Sequence, residues 1–244
     1  MSLKNLLRYG LGARAKERKK DAKRRRRSAL FEDRSIWDVG DTFARRKYRS
    51  YEEYLSHQAA KLEGHVAQLR TTEEEDFHEF RRRFSSCAPL SSAKSVLCLG
   101  ARLGTEVRAL HSLGYFAVGI DLNPGEGNSY VLPGDFHHLV FADSSVDAVY
   151  TNAVDHSFDL GRFVGEVRRV LRPAGVFVMD FQSGFEEGQE PGDFESIHWK
   201  SAEALLQLVA AEGGLALEEH RPLGALRTSA WRQAVFRKEQ RAAS

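Results

Sequence analysis

With 244 residues, 42% of them hydrophobic and 29% charged, the chain is long enough to bury one substantial core. No stretch approaches the roughly 18 to 20 apolar residues of a membrane-spanning helix, and the two cysteines make neither a disulfide framework nor a zinc site. The formal net charge of +2 conceals a division, because residues 1–30 carry twelve Lys and Arg against Glu17 and Asp21, a net +10, and the remainder is acidic at −8.

The chain opens on a short amphipathic pattern, with Leu3, Leu6, Leu7 and Leu11 on one helical face. Lys16 to Arg27 is nearly all charge and cannot offset its ordering entropy by burial, so it is expected to be disordered, or helical only on a partner. An anionic membrane surface, nucleic acid or an import receptor would suit such an arm. The start has no signal-peptide apolar core, which leads to the expectation of a soluble, intracellular protein, cytoplasmic unless the arm directs it to the nucleus or an organelle. Asp33 to Asp41 reads as a linker with one aromatic anchor, Trp37. Ser50 and Glu53 have the spacing of a capping box, and the stripe Tyr51, Tyr54, Leu55, Leu62, Val66, Leu69 follows it. Thr72 and Glu75 repeat the capping signal and predict a second helix with Phe77, Phe80 and Phe84 on its apolar face. Arg81, Arg82 and Arg83 read as the solvated side of that helix rather than an anion clamp.

From Ser95 short apolar runs alternate with helical stretches, which predicts βα units and a parallel sheet. The strands are Ser95 to Leu99, Phe116 to Ile120, Val146 to Tyr150 and Val176 to Asp180; the helices are Thr105 to Leu113, Leu160 to Leu171 and Ala202 to Ala211. Leu215 to Glu219 and Trp231 to Phe236 are close enough in sequence to pair as an antiparallel edge. The fold class is therefore α/β, a doubly wound, mostly parallel sheet with an antiparallel C-terminal edge and an N-terminal helical extension. The predicted division is a basic arm and linker over 1–42, N-terminal helices over 43–90, the α/β domain over 91–237 and a tail over 238–244.

The first βα turn runs from Val96 to Val107 with Gly100 and Gly104 inside it. Glycines there let the backbone bend sharply and let a ligand approach the following helix without a Cβ in the way. Asp121 ends the next apolar run, 21 residues after Gly100, where a carboxylate can accept hydrogen bonds from both hydroxyls of a ribose. This order resembles the class I S-adenosylmethionine-dependent methyltransferases. The resemblance covers Ser95 to Asp180 and continues through the fourth-strand segment Val146 to Asn152 and the run Leu171-Arg172-Pro173-Ala174-Gly175 before a fifth strand. It implies a Rossmann-like fold, S-adenosylmethionine as cofactor, and a cofactor site built from Gly100, Ala101, Arg102, Gly104, Asp121, Leu122, Gly134, Asp135, Phe136 and Asn152. Two positions depart from the family pattern. Cys98 stands where an acid is usual, and Arg102 stands at the middle glycine, where it could obstruct the cofactor or pair with its carboxylate.

The loop after the fourth strand, Asn152 to Asp159, is where the resemblance places a group acting on the acceptor. His156, with Asp155 beside it, can serve as a base at neutral pH, or the two can merely cap the next helix. The loop is not Asn-Pro-Pro-Tyr, which disfavours methylation of exocyclic base amines. A small-molecule acceptor is expected; a non-catalytic cofactor-fold protein and a nucleic-acid or protein methyltransferase using its basic arm remain the alternatives. His137 and His138, being adjacent, read as structural rather than metal-binding. Gln182 to Lys200 reads as a long connection that lines or covers the acceptor pocket.

Overall fold

The computed structural model describes residues 18, 21–22, 24–223 and 231–239, and over 62–68 the helix backbone alone. The amphipathic start and part of the basic run lie outside the described residues. Among the described residues, ten strands and four α-helices follow a helical segment over 24–32. They are β1 (Trp37–Val39), β2 (Phe43–Arg46), α1 (Tyr51–Ser85), β3 (Ser95–Leu99), α2 (Thr105–Ser112), β4 (Phe116–Asp121), β5 (Val131–Pro133), β6 (Val146–Thr151), α3 (Leu160–Val170), β7 (Leu171–Gln182), β8 (Ile197–Trp199), α4 (Ala202–Gly213), β9 (Leu215–Pro222) and β10 (Trp231–Lys238).

Seven strands form one sheet in the order β5-β4-β3-β6-β7-β10-β9. The first five run parallel, and β10 is antiparallel to both neighbours. Successive side chains of a strand point to opposite faces, so each strand feeds two cores. Leu97, Leu99, Val149, Phe177 and Met179 pack on one face with α3 and α4. Val96, Cys98, Ala148, Tyr150, Val176 and Val178 pack on the other, with α2 and the end of α1. Burial on both faces is why these strands read as continuous apolar runs. This is the expected doubly wound, mostly parallel α/β sheet with its antiparallel edge.

The N-terminal third differs from the sequence expectation. Trp37 is buried as anticipated, but the segment taken as linker contains β1 and β2, which join β8 in a three-stranded antiparallel sheet. The Gly40 N–H bonds the Phe43 carbonyl at 2.9 Å and closes the hairpin. The two expected helices are one helix of 35 residues. Ser50 caps it by accepting from the Glu53 N–H. Thr72 instead donates to the Leu69 carbonyl inside the helix, since no proline interrupts this stretch and the chain simply continues. The arm is not wholly separate either. Residues 24–32 are helical, Phe31 packs against Trp37 and Phe185, and Ser28 donates to Glu190.

Candidate functional site

The β3–α2 turn is bent by three residues with positive φ, Gly100 at 73°, Arg102 at 41° and Gly104 at 77°. A Cβ on Gly100 would lie 2.5 Å from Cβ of Ala153, so the approach of the loop after β6 admits only glycine there. The N–H groups of Gly100 and Ala101 bond the Ile120 carbonyl, and the Arg102 N–H bonds Asp121 Oδ2 at 2.9 Å. Asn123 N–H holds the other carboxylate oxygen at 2.8 Å. Asp121 is thus fixed at the carboxyl end of β4, where α/β sheets bind ligands.

Above these strand ends lies an open cleft of two adjoining cavities, about 570 and 1390 Å³ with the solvent space at their mouths included. Both are bordered by Lys61, Leu69, Gly100, Arg102 and His156. The smaller adds Tyr54, Gln58, Asp121, Leu122 and Phe136; the larger adds Ala101, Glu106, Asn152, Asp155, Gln182, Glu195 and Trp231. Nine residues named from the sequence therefore meet around one space: Gly100, Ala101, Arg102, Asp121, Leu122, Phe136, Asn152, Asp155 and His156. Gln182 at the end of β7 and Glu195 in the long connection that follows it both border the larger cavity.

Three do not line it. The Asp135 carboxylate accepts from the Tyr51 hydroxyl and from the His137 N–H, the latter at 2.8 Å. Although burial works against it, hydrogen bonds from His137 and Tyr51 hold this carboxyl well below the usual range. Asp135 is therefore committed to tying the start of α1 to the sheet. Gly104 is required by packing, since a Cβ there would sit 2.7 Å from Cβ of Tyr130, and Gly134 backs onto Ile120. His137 is buried and bonds Asp135 and Ser157.

α1 roofs the cleft. Its start is held by the Tyr51 contact, and its end by Arg83, which donates to Asp180 and Glu79. Tyr54, Gln58 and Lys61 fall at helical spacing on the face between those ties. Sequence reading missed all three in the site, although a lysine seven residues after Tyr54, on the side of an apolar stripe, was the available signal. Tyr54 is fully buried, and its hydroxyl has no hydrogen-bond partner among the described residues.

His156 closes a 3₁₀ turn over Val154–His156. Its Nδ1 lies 3.0 Å from the Phe194 carbonyl, so Nδ1 carries the proton and Nε2 offers its lone pair. Nε2 meets Lys61 Nζ at hydrogen-bond distance. Asp155 Oδ1 is 3.8 Å from the same ring nitrogen. Neither residue caps the next helix; Asp159 does, accepting from the Arg162 N–H at 3.0 Å. Burial, then Lys61 and Arg102, keep the imidazole neutral. Burial and Arg102 pull the Lys61 ammonium down, and burial with Glu195 pushes the Asp155 carboxyl up. The three groups lie together at one wall of the cleft, so a charge on Lys61 bears on the protonation of both neighbours.

A family model described as a methyltransferase domain matches residues 97–179. No curated protein matches the sequence. Among solved structures, Burkholderia thailandensis 1,6-didemethyltoxoflavin-N1-methyltransferase, determined with 1,6-didemethyltoxoflavin and S-adenosylhomocysteine, superposes with a TM-score of 0.63 at 15% identity, over 83% of this chain and 98% of its own. A chain of the Haloferax volcanii complex joining the Trm112 methyltransferase activator to a methyltransferase gives 0.58 at 18% identity, over 75% and 98%. A Thermotoga maritima S-adenosylmethionine-dependent methyltransferase gives 0.58 at 15% identity, over 76% and 100%. At these identities the likeness is one of fold.

Proposed function

We propose that the chain is a class I S-adenosylmethionine-dependent methyltransferase and that it methylates a small molecule held against Lys61 and His156. Bound in the cleft, S-adenosylmethionine supplies a methyl group on a sulfonium, an already activated leaving group. The turn at Gly100 borders the cleft, Asp121 offers carboxylate lone pairs to ribose hydroxyls, and the Tyr54 hydroxyl, without a hydrogen-bond partner among the described residues, offers a further hydrogen bond.

The observation that carries the reading is the meeting of Lys61, Asp155 and His156 with Gly100 and Asp121 in one continuous cleft. Lys61 is the better proton acceptor of the set. His156 Nδ1–H is committed to the Phe194 carbonyl, and its Nε2 holds Lys61 Nζ in place rather than facing an acceptor freely. The base first sought at His156 is therefore assigned to Lys61, with His156 positioning it. An acceptor N–H or O–H beside Nζ would pass its proton to the amine, and Asp155 would stabilise the ammonium so formed. α1 and the connection carrying Glu195 wall the space on two sides, a concave site that suits a small molecule better than a polymer.

The test is transfer of labelled methyl groups from the cofactor to fractions of a cell extract. Label should enter the low-mass fraction, and label confined to protein or nucleic acid would overturn the small-molecule reading. With the acceptor in hand, Lys61→Met should lower turnover ~100-fold while S-adenosylhomocysteine affinity stays within about twofold. Full turnover by that variant would mean that alignment alone drives the transfer.

A further inference from the structure

β3 turns Val96 and Cys98 toward α2, and Cys98 is wholly buried in the corner where the strand ends and the helix begins. Glu106, in the first turn of α2, reaches into the same corner. It is 5% exposed, borders the larger cavity, and lies near enough to Cys98 that its charge raises the thiol further after burial has done so. Two carboxylates nearby are ion-paired: Glu79 bonds Arg82 and Arg83, and Asp180 bonds Arg83. Glu106 makes no ion pair among the described residues. Its carboxyl is pushed up to about 8, by burial first, with its own backbone N–H and the charge of Arg102 only partly opposing this.

A buried carboxyl beside a ligand cavity and without a cation of its own is a place for a cation to be brought. Arg102 stands across the same stretch of wall, its backbone fixed by Asp121 and by Asn128, which donates to the Arg102 carbonyl at 2.9 Å. One acid and one guanidinium at one end of a cleft match the ammonium and carboxylate of an α-amino acid.

We propose that Glu106 binds the α-ammonium of the cofactor's methionine half, with Arg102 facing its carboxylate. This rests on the cofactor reading above and deepens it. Binding of the ammonium ionises Glu106, and the departing proton leaves with solvent as the cofactor seats. Cys98 then needs no charge, because the helix supplies at position 106 what a strand residue in that corner could supply.

Two ligands separate the inference from the reading beneath it. S-adenosylhomocysteine carries the amino-acid group, whereas 5′-methylthioadenosine has the same adenosine and a thioether without it. By calorimetry on the full chain, Glu106→Gln should bind S-adenosylhomocysteine at least about tenfold more weakly and 5′-methylthioadenosine within about twofold of the unaltered protein. Adding Cys98→Asp to Glu106→Gln should return part of the lost affinity for S-adenosylhomocysteine alone. An unchanged affinity in Glu106→Gln, an equal loss for both ligands, or a double variant no better than the single one would each overturn the assignment. If the unaltered protein binds neither ligand, the cofactor reading itself has failed.

Discussion

A tyrosine hydroxyl sealed in a protein without a partner lowers stability by the desolvation it has undergone, typically by about 1 to 3 kcal/mol. Tyr54 is in that position at the wall of the smaller cavity, with Asp121 close enough to make its ionisation still harder after burial. Tyr54→Phe should therefore leave the unliganded protein as stable as before, or more so, and weaken S-adenosylhomocysteine binding about three- to tenfold. Thermal denaturation with and without the ligand measures both; a variant with lower stability and full affinity would mean that the hydroxyl serves the fold. Sequence reading reached Asp121 and His156 because their positions at strand ends are local facts. It placed Asp135 beside them on equal terms, since nothing in the order of residues reveals that Tyr51, 84 positions away, takes that carboxylate. Lys61 and Glu106 were passed over for a related reason. On a helix a charged residue ordinarily reads as solvated, and only the packing of that helix shows it turned inward.

Among the elements, α1 decides how the cleft is closed. Its last turns are joined to the sheet by a buried network in which Asp180 accepts from Arg83 at 2.8 Å, Tyr150 at 3.0 Å and Gln233 at 2.9 Å. The arginines of this stretch, read as a solvated face, divide: Arg81 is exposed, while Arg83 is turned inward. Burial raises the Asp180 carboxyl even with Arg83 opposing it. Arg83→Met should cost about 3 to 5 kcal/mol at pH 7.5 by leaving a buried carboxylate without its cation. The sign with pH follows from linkage. A carboxyl raised further in the folded state stays protonated there while the unfolded chain has already ionised, so stability falls as pH rises from the unfolded value. Urea denaturation should find the deficit smaller at pH 5 than at pH 7.5, and an equal deficit at both would show that packing, not charge, is lost. The strands and helices of the sheet could be read from periodicity because each is long enough to show it. β1, β2, β5 and β8 are three or four residues long and carry almost no period, and β2 gains its second partner, β8, only through a contact some 150 residues away. The hairpin at Gly40 and Asp41 had a legible turn signal, but the short flanks made it look like linker.

For the whole molecule, the separation of charge along the chain suggested an arm independent of the body, and the described part of that arm is engaged with it. Arg26 reaches Asp193 at 3.1 Å and Arg27 reaches Glu195 at 4.0 Å, while the Ser28 hydroxyl bonds Glu190 at 2.8 Å. The exposed pair at Arg26 adds little. The Phe31 ring, 5.9 Å from Trp37 and 5.3 Å from Phe185, carries most of the docking because it covers apolar surface. Apart from Trp37 in β1, the partners in these contacts lie on the connection between β7 and β8, which also holds the Phe194 carbonyl against His156 and brings Glu195 to the cleft. Basic residues thus serve here as counter-charge to an acidic segment of the same chain. A chain beginning at Arg34 should melt a few degrees lower than the full protein. Its turnover should fall, because Phe194 and through it the Lys61–His156 pair lose their backing. Affinity for 5′-methylthioadenosine should be unchanged, since Gly100 and Asp121 are held by the sheet and by the turn after β3, which this segment does not touch. Differential scanning calorimetry and ligand titration of the two proteins decide the matter: an unaltered melting point together with unaltered turnover would restore the independent arm that the charge pattern implies.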